Sequence, residues 1–157
     1  MPRPIQPKAF GKPMGMYSHG MSAAAGEIVV VAGQVGARAT SELAGTDVAS
    51  QTRQALENVR LVVEAAGCRM RDVIRLQTFL TRAEDIPEFM RARGEVFATL
   101  FPDGVYPPNT LLIVSGLVRP ELRVEIEAMA IKRTAARAAA KPGRRKVRPT
   151  KRARRRR

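Results

Sequence analysis

One cysteine, Cys68, and one histidine, His19, are all the thiol and imidazole that 157 residues contain. A lone cysteine excludes an internal disulfide and an all-cysteine metal site, and a lone histidine argues against a histidine-rich one. Cys68 follows a helix-ending glycine, where a buried, inert thiol is the simpler reading, and His19 reads as a surface or interface imidazole. Carboxylates are more plentiful. Between Arg123 and Ile131, Val124, Ile126, Ala128 and Ala130 alternate with Glu125 and Glu127. One face of a strand is therefore apolar and the other carries two carboxylates. Glu125 is either a base that handles a water molecule or a strand carboxylate paired across the sheet. Asn109, after Pro107 and Pro108, is either a ligand-facing amide or a turn residue.

The elements that must position these groups follow from periodicity. Met16 to Ser22 can be a short strand, and Ile28 to Ala32 is an unbroken apolar run suited to a buried one, followed by Gly33-Gln34. After Asp47, a good N-cap, Thr52, Ala55, Leu56, Val59, Val62, Val63 and Ala66 recur at helical spacing and predict a helix over 47–66. Gly67 is placed to end it in the left-handed conformation. Val73 to Thr81 is the next strand. Asp85-x-x-Glu88 reads as a capping box with Pro87 in the first turn, ahead of a second apolar stripe at Ile86, Phe89, Met90, Val96, Phe97 and Leu100. Thr110 to Val114 and Arg123 to Ile131 are the last strands. The order β-β-α-β-α-β-β predicts an α+β two-layer sandwich, with two helices on one face of a mixed sheet of five or six strands. The uncovered face needs a partner, and oligomerisation is the simplest solution.

Charge divides the chain. There are 28 Lys plus Arg against 14 Asp plus Glu, and the residues from Lys132 onward hold 14 of the basic groups and none of the acidic ones. What precedes them is neutral, which excludes a basic nucleic-acid-binding fold. Scarce aromatics and no tryptophan leave little material for base-stacking platforms. The chain thus divides into a proline-punctuated segment over 1–15, a domain over 16–131 and a basic tail over 132–157. Self-repulsion and a lack of large apolar residues predict disorder in that tail. It is suited to non-specific, salt-sensitive binding of DNA or RNA, with a solubilising extension as the alternative. No secretory leader or membrane-length apolar run is apparent, so a cytoplasmic protein with no membrane partner is expected.

Several strings occur together in order: Tyr17-Ser18-His19-Gly20, VVVAGQV at 29–35, QTRQALENVRLVVEAAG at 51–67, DVIRLQTFLT at 72–81, Tyr106-Pro107-Pro108 and Val124-Glu125-Ile126-Glu127-Ala128. With them the chain resembles the RidA/YjgF family (Rid proteins) over residues 16–131. The resemblance implies a chorismate-mutase-like α+β fold and a homotrimer, sheets inward and helices outward, with three clefts between subunits. It also implies hydrolysis of reactive imines and enamines, such as 2-iminopropanoate, to keto acids and ammonia. No metal or organic cofactor is implied. Some members have been described as ribonucleases or translation inhibitors.

The resemblance places Tyr17 and Glu125 among the cleft residues as the catalytic pair, and Gly33 in the backbone that lines it. It also marks three departures. Asn109 stands where the family has a carboxylate-gripping arginine, Leu111 where a cysteine is frequent, and Ala32 where a serine is frequent. Exchanging a bidentate guanidinium for a neutral amide removes a contact worth about 1.5–3 kcal/mol, or roughly 10- to 100-fold in binding. Arg119 and Arg123 are candidates to replace the lost cation. The expected function is binding of a small metabolite in intersubunit clefts, at Asn109, Gly33, Arg119 and Leu111, with weak or altered deaminase activity. The alternatives are a non-catalytic ligand-binding or regulatory Rid protein, and a nucleic-acid-associated protein acting through its tail.

Overall fold

Alternating branched residues build the sheet that carries the candidate site. The computed structural model describes residues 1–9 and 11–133. The reading of the basic tail therefore falls, from residue 134 on, outside the described residues. Four strands, β3 (Glu27–Val35), β4 (Val73–Leu80), β5 (Asn109–Ile113) and β6 (Val124–Lys132), form a sheet in the order β3-β6-β4-β5. β6 runs antiparallel to both neighbours, while β4 and β5 are parallel. A parallel pair needs a crossover, which is supplied by α2 (Ile86–Leu100). α1 (Val48–Ala65) links β3 to β4.

Both helices cover one face. Val124, Ile126, Ala128 and Ala130 of β6 and Leu76, Thr78 and Leu80 of β4 are buried there, against Leu56, Val59 and Val63 of α1 and Phe89 and Phe97 of α2. Each large side chain so buried contributes about 1.5–3 kcal/mol. On the other face Ile28, Val30 and Leu112 are exposed, Val30 at 70%. The predicted α+β sandwich with two helices on one face of a mixed sheet is the observed architecture.

The sheet is narrower than the sequence suggests. The predicted strand at 16–22 shortens to β2 (Gly20–Ser22), which pairs only with β1 (Arg3–Ile5), inside the segment read as irregular. Proline removes a ladder donor and confines β1, with Pro4 at its centre, to a short two-stranded ribbon.

Helix ends follow the local chemistry with one exception. Asp47 accepts the Ser50 N–H at 2.7 Å, which also holds its carboxyl below the usual range. Gly67, at φ +79°, ends α1, and Cys68 N–H reaches back to Val63 O at 3.0 Å. The Cys68 thiol is buried and its pKa is pushed up by burial. The capping box at Asp85 does not form. The Asp85 carboxylate instead accepts Arg123 Nε at 2.8 Å and NH2 at 2.5 Å, because a charged bidentate fork outcompetes a single backbone donor.

Gln51 closes the end of the sandwich. Wholly buried, it donates to Gly45 O at 3.1 Å and Glu121 O at 3.0 Å and accepts from Arg123 N–H at 2.8 Å. Removing it strands three backbone groups at about 1–3 kcal/mol for each that water cannot reach. Gln51→Ala is expected to lower unfolding stability by about 2–4 kcal/mol in chemical denaturation, and a wild-type midpoint would contradict this.

Candidate functional site

Glu125 faces away from the helices, since its neighbours Val124 and Ile126 are the buried ones. Its register partners are Val35 on β3 and Phe79 on β4. The β3–β6 register shifts between Val31 and Gln34, a bulge that brings Gly33 against the carboxylate. A Cβ at Gly33 would lie 1.6 Å from Glu125 Oε1. Glycine is needed here for close approach. Among the described residues no side chain or backbone group is seen to hydrogen-bond the Glu125 carboxylate.

Asn109 opens β5 on the opposite face. It lies beside Leu76 in register and its side chain meets Thr78, both on the helix-covered side. Its surroundings orient the amide. The NH2 faces Leu76 O at 3.3 Å and Thr78 Oγ1 at 3.1 Å, and the oxygen then accepts from Arg93 NH1 at 3.1 Å. Leu111 sits one register step on, opposite Thr78, and packs on the core.

Arg93 is the buried charge that sequence reading missed. It lies on α2 between Phe89 and Phe97, and only 5% of it is exposed. The guanidinium carbon is 4.9 Å from the Phe97 ring centre and 5.8 Å from that of Phe89. NH2 donates to Met16 O at 3.2 Å, and Nε is buried with no acceptor among the described residues. Among the described residues no carboxylate pairs with it, and burial pushes its pKa below the usual guanidinium value.

Tyr17 joins this group through the chain. The carbonyl that Arg93 holds belongs to Met16, and Ser18 Oγ donates to Tyr106 O at 2.6 Å. Tyr106 stacks on Phe97 at 5.7 Å and leads through Pro107 and Pro108 into Asn109. Tyr17 also meets His19 edge-on at 6.0 Å.

The two arginines considered as replacement cations are engaged within the protomer. Arg123 is held by Asp85, and Arg119 pairs with Glu121 at 3.2 Å and donates to Ser41 O at 3.3 Å. The candidates therefore form two groups on opposite faces of the sheet. Gly33 and Glu125 are on the open face; Asn109, Leu111 and Arg93 are on the helix-covered face, with Tyr17 tethered beside them. Among the described residues no cluster of three or more His, Cys, Asp or Glu could hold a metal, and no helix is long and apolar enough to cross a membrane.

Comparison with known proteins adds to this geometry. The sequence model of the family described as Endoribonuclease L-PSP matches residues 7–132. A RutC family protein of Pyrococcus horikoshii is 37% identical over 122 residues, covering 77% of this chain and 90% of that relative. The 2-iminobutanoate/2-iminopropanoate deaminase of Salmonella typhimurium is 31% identical over 120 residues, covering 76% of this chain and 90% of the deaminase. The crystal structure of a protein of unknown function of the conserved Rid family, from Yersinia pestis, superposes with a TM-score of 0.74 at 32% identity, over 83% of this chain and 98% of that one.

Proposed function

The chain belongs to the Endoribonuclease L-PSP family, the RidA/YjgF or Rid proteins, and from that premise we propose that it is a cytoplasmic homotrimer that hydrolyses small imines or enamines in clefts between its subunits. The two residue groups cannot meet within one protomer. They meet if the open face of one copy, with Gly33 and Glu125, abuts the β5 edge of the next, with Asn109 and Tyr17. Exposed Ile28, Val30 and Leu112 give that open face the apolar surface a second copy of the chain would cover.

In such a cleft the chemistry is short. Water adds to the imine carbon, and Glu125 takes its proton and passes it to the nitrogen. The carbinolamine then releases ammonia and leaves a ketone. Tyr17 hydrogen-bonds the substrate. Asn109 in place of a guanidinium alters the anion grip, so the activity on 2-iminopropanoate is weak.

The observation that carries this proposal is the Glu125 carboxylate lying over Gly33, without a hydrogen-bond partner among the described residues. With 2-iminopropanoate generated in situ, the wild type should exceed the uncatalysed rate but fall below the Salmonella deaminase run alongside. Glu125→Gln should lose about 100-fold or more of the enzymatic rate, the usual scale for a general base. Equal rates for wild type and Glu125→Gln would refute the base; parity with the deaminase would refute the altered grip. Binding of keto acids without turnover would favour the non-catalytic, ligand-binding alternative, which Asn109 also fits.

The basic residues at 132–157 favour a second property, non-specific binding of nucleic acid by three tails acting together. Full-length protein should bind duplex DNA with a steep salt dependence, and a chain ending at Arg133, just beyond β6, should not. Equal affinity for both would end that proposal.

A further inference from the structure

The strands of the sheet carry few charges. Their charged residues are Glu27, Arg75, Glu125, Glu127 and Lys132. Lys132 reaches Glu27 at 3.8 Å at the end of the sheet, and Glu125 belongs to the reaction centre proposed above. One base and one acid are left, Arg75 on β4 and Glu127 on β6, the two central strands. Both are exposed on the open face, where they border a cavity of about 260 Å³ with Val30, Ala32, Gln77 and Met129.

The two do not pair within the protomer. Gln77 stands opposite Glu127 in register and Arg75 opposite Met129. Arg75 and Glu127 are therefore diagonal neighbours, with Cα atoms about 7–8 Å apart, a span that long side chains bridge. The guanidinium instead turns along its own strand and donates to Gln77 Oε1. The Glu127 carboxylate has no hydrogen bond or ion pair among the described residues. While the face is wet, both charges stay solvated. A second copy seated on Ile28, Val30 and Leu112 would remove that water. A charge so covered opposes assembly unless an opposite charge meets it. The covering copy brings both signs with it.

We propose that Glu127 of one copy pairs with Arg75 of the next, and that this pair makes the open face selective for a second copy of this chain. The inference rests on the homotrimer proposed above and names what selects its partner. In a head-to-tail ring each copy offers Glu127 at one junction and Arg75 at the other, so the ring closes with every such charge matched. Ile28, Val30 and Leu112 supply contact area to any apolar surface. The pair adds discrimination, because a related chain lacking the acid or the base leaves a covered charge unmatched. Gln77 holds the guanidinium on the face, ready for that contact.

The test is sedimentation velocity on the full-length protein over a range of concentrations. Arg75→Glu puts an acid at both positions and Glu127→Arg a base at both, so like charges meet at every junction. Each should raise the midpoint concentration for trimer assembly by about 100-fold or more. The double change Arg75→Glu/Glu127→Arg in one chain should restore assembly. Mixing the two single variants should give mixed trimers, a result that a pair confined within one chain does not produce. Single variants that assemble like wild type, or a mixture that stays dissociated, overturn the proposal. If a reversal does not fold, the neutral variants Arg75→Gln and Glu127→Gln decide. Each should weaken assembly by about tenfold or more, and the double variant should lose less than the two losses combined, since both remove one contact. Additive losses count against the pair. Wild type that stays monomeric at every concentration overturns the homotrimer and this pair with it. A trimeric wild type with indifferent variants leaves the homotrimer standing and refutes the pair alone.

Discussion

Asn109→Asp should abolish recognition of carboxylate ligands while leaving the fold intact. The change is nearly isosteric, so the packing around Thr78 and Leu76 is kept. It sets a carboxylate about 3.1 Å from Arg93 NH1, where the amide oxygen now lies. The added negative charge then stands where the proposed cleft would receive the substrate carboxylate. Two like charges would then face each other, which costs several kcal/mol, and pyruvate binding should weaken by roughly 100-fold or more. Arg93 pairing should hold the new carboxyl ionised, so lowering the pH toward 5 should not restore binding. Without that pairing, the loss would be milder and binding would recover as the aspartate is protonated. Titration of pyruvate at pH 5 and pH 7.5 separates them.

Gly33→Ala should have the second large effect, on rate rather than ligand binding. The added methyl would fall 1.6 Å from Glu125 Oε1 and 2.5 Å from its carboxyl carbon. Those atoms are the far end of a side chain, so the carboxylate moves and the backbone stays. The fold should keep its melting temperature within a few degrees, as a surface-face change does. The base, however, would lose its position, and a misplacement of about 1 Å costs on the order of 100-fold in rate. Steady-state hydrolysis of 2-iminopropanoate checks it. Wild-type turnover in Gly33→Ala would mean that Glu125 acts from some other position or not at all.

These effects show where the sequence could be read and where it could not. Helical spacing from Asp47 to Gly67 located α1 within a residue at each end, because cap, stripe and glycine agree. The alternation at 124–130 correctly turned Glu125 away from the core. Asp85 misled because its carboxylate had a partner 38 residues away, Arg123, that local patterning does not display. The open face of the sheet was anticipated, but not that β1 and β2 would form a separate ribbon. Arg93 was overlooked for a plainer reason. It stands four residues from Phe89 and four from Phe97, squarely on the apolar stripe of α2, yet a charged residue is assigned by habit to the wet face. The spacing of 89, 93 and 97 was the available signal. The orientation of the Asn109 amide depends on Leu76, Thr78 and Arg93 converging from two other elements, which no single segment reveals.

The central claim is that each cleft draws on two copies of the chain, and subunit mixing tests it. Glu125→Gln and Asn109→Asp chains, each inactive alone, are unfolded together, refolded as mixed trimers and assayed with 2-iminopropanoate. In a head-to-tail trimer, random mixing leaves roughly a quarter of clefts with Glu125 intact from one copy and Asn109 intact from the next. Activity should therefore return to roughly a quarter of refolded wild type. Mixed trimers as inactive as both parents, beside an active wild-type control, would contradict the account and place all the working groups in one protomer.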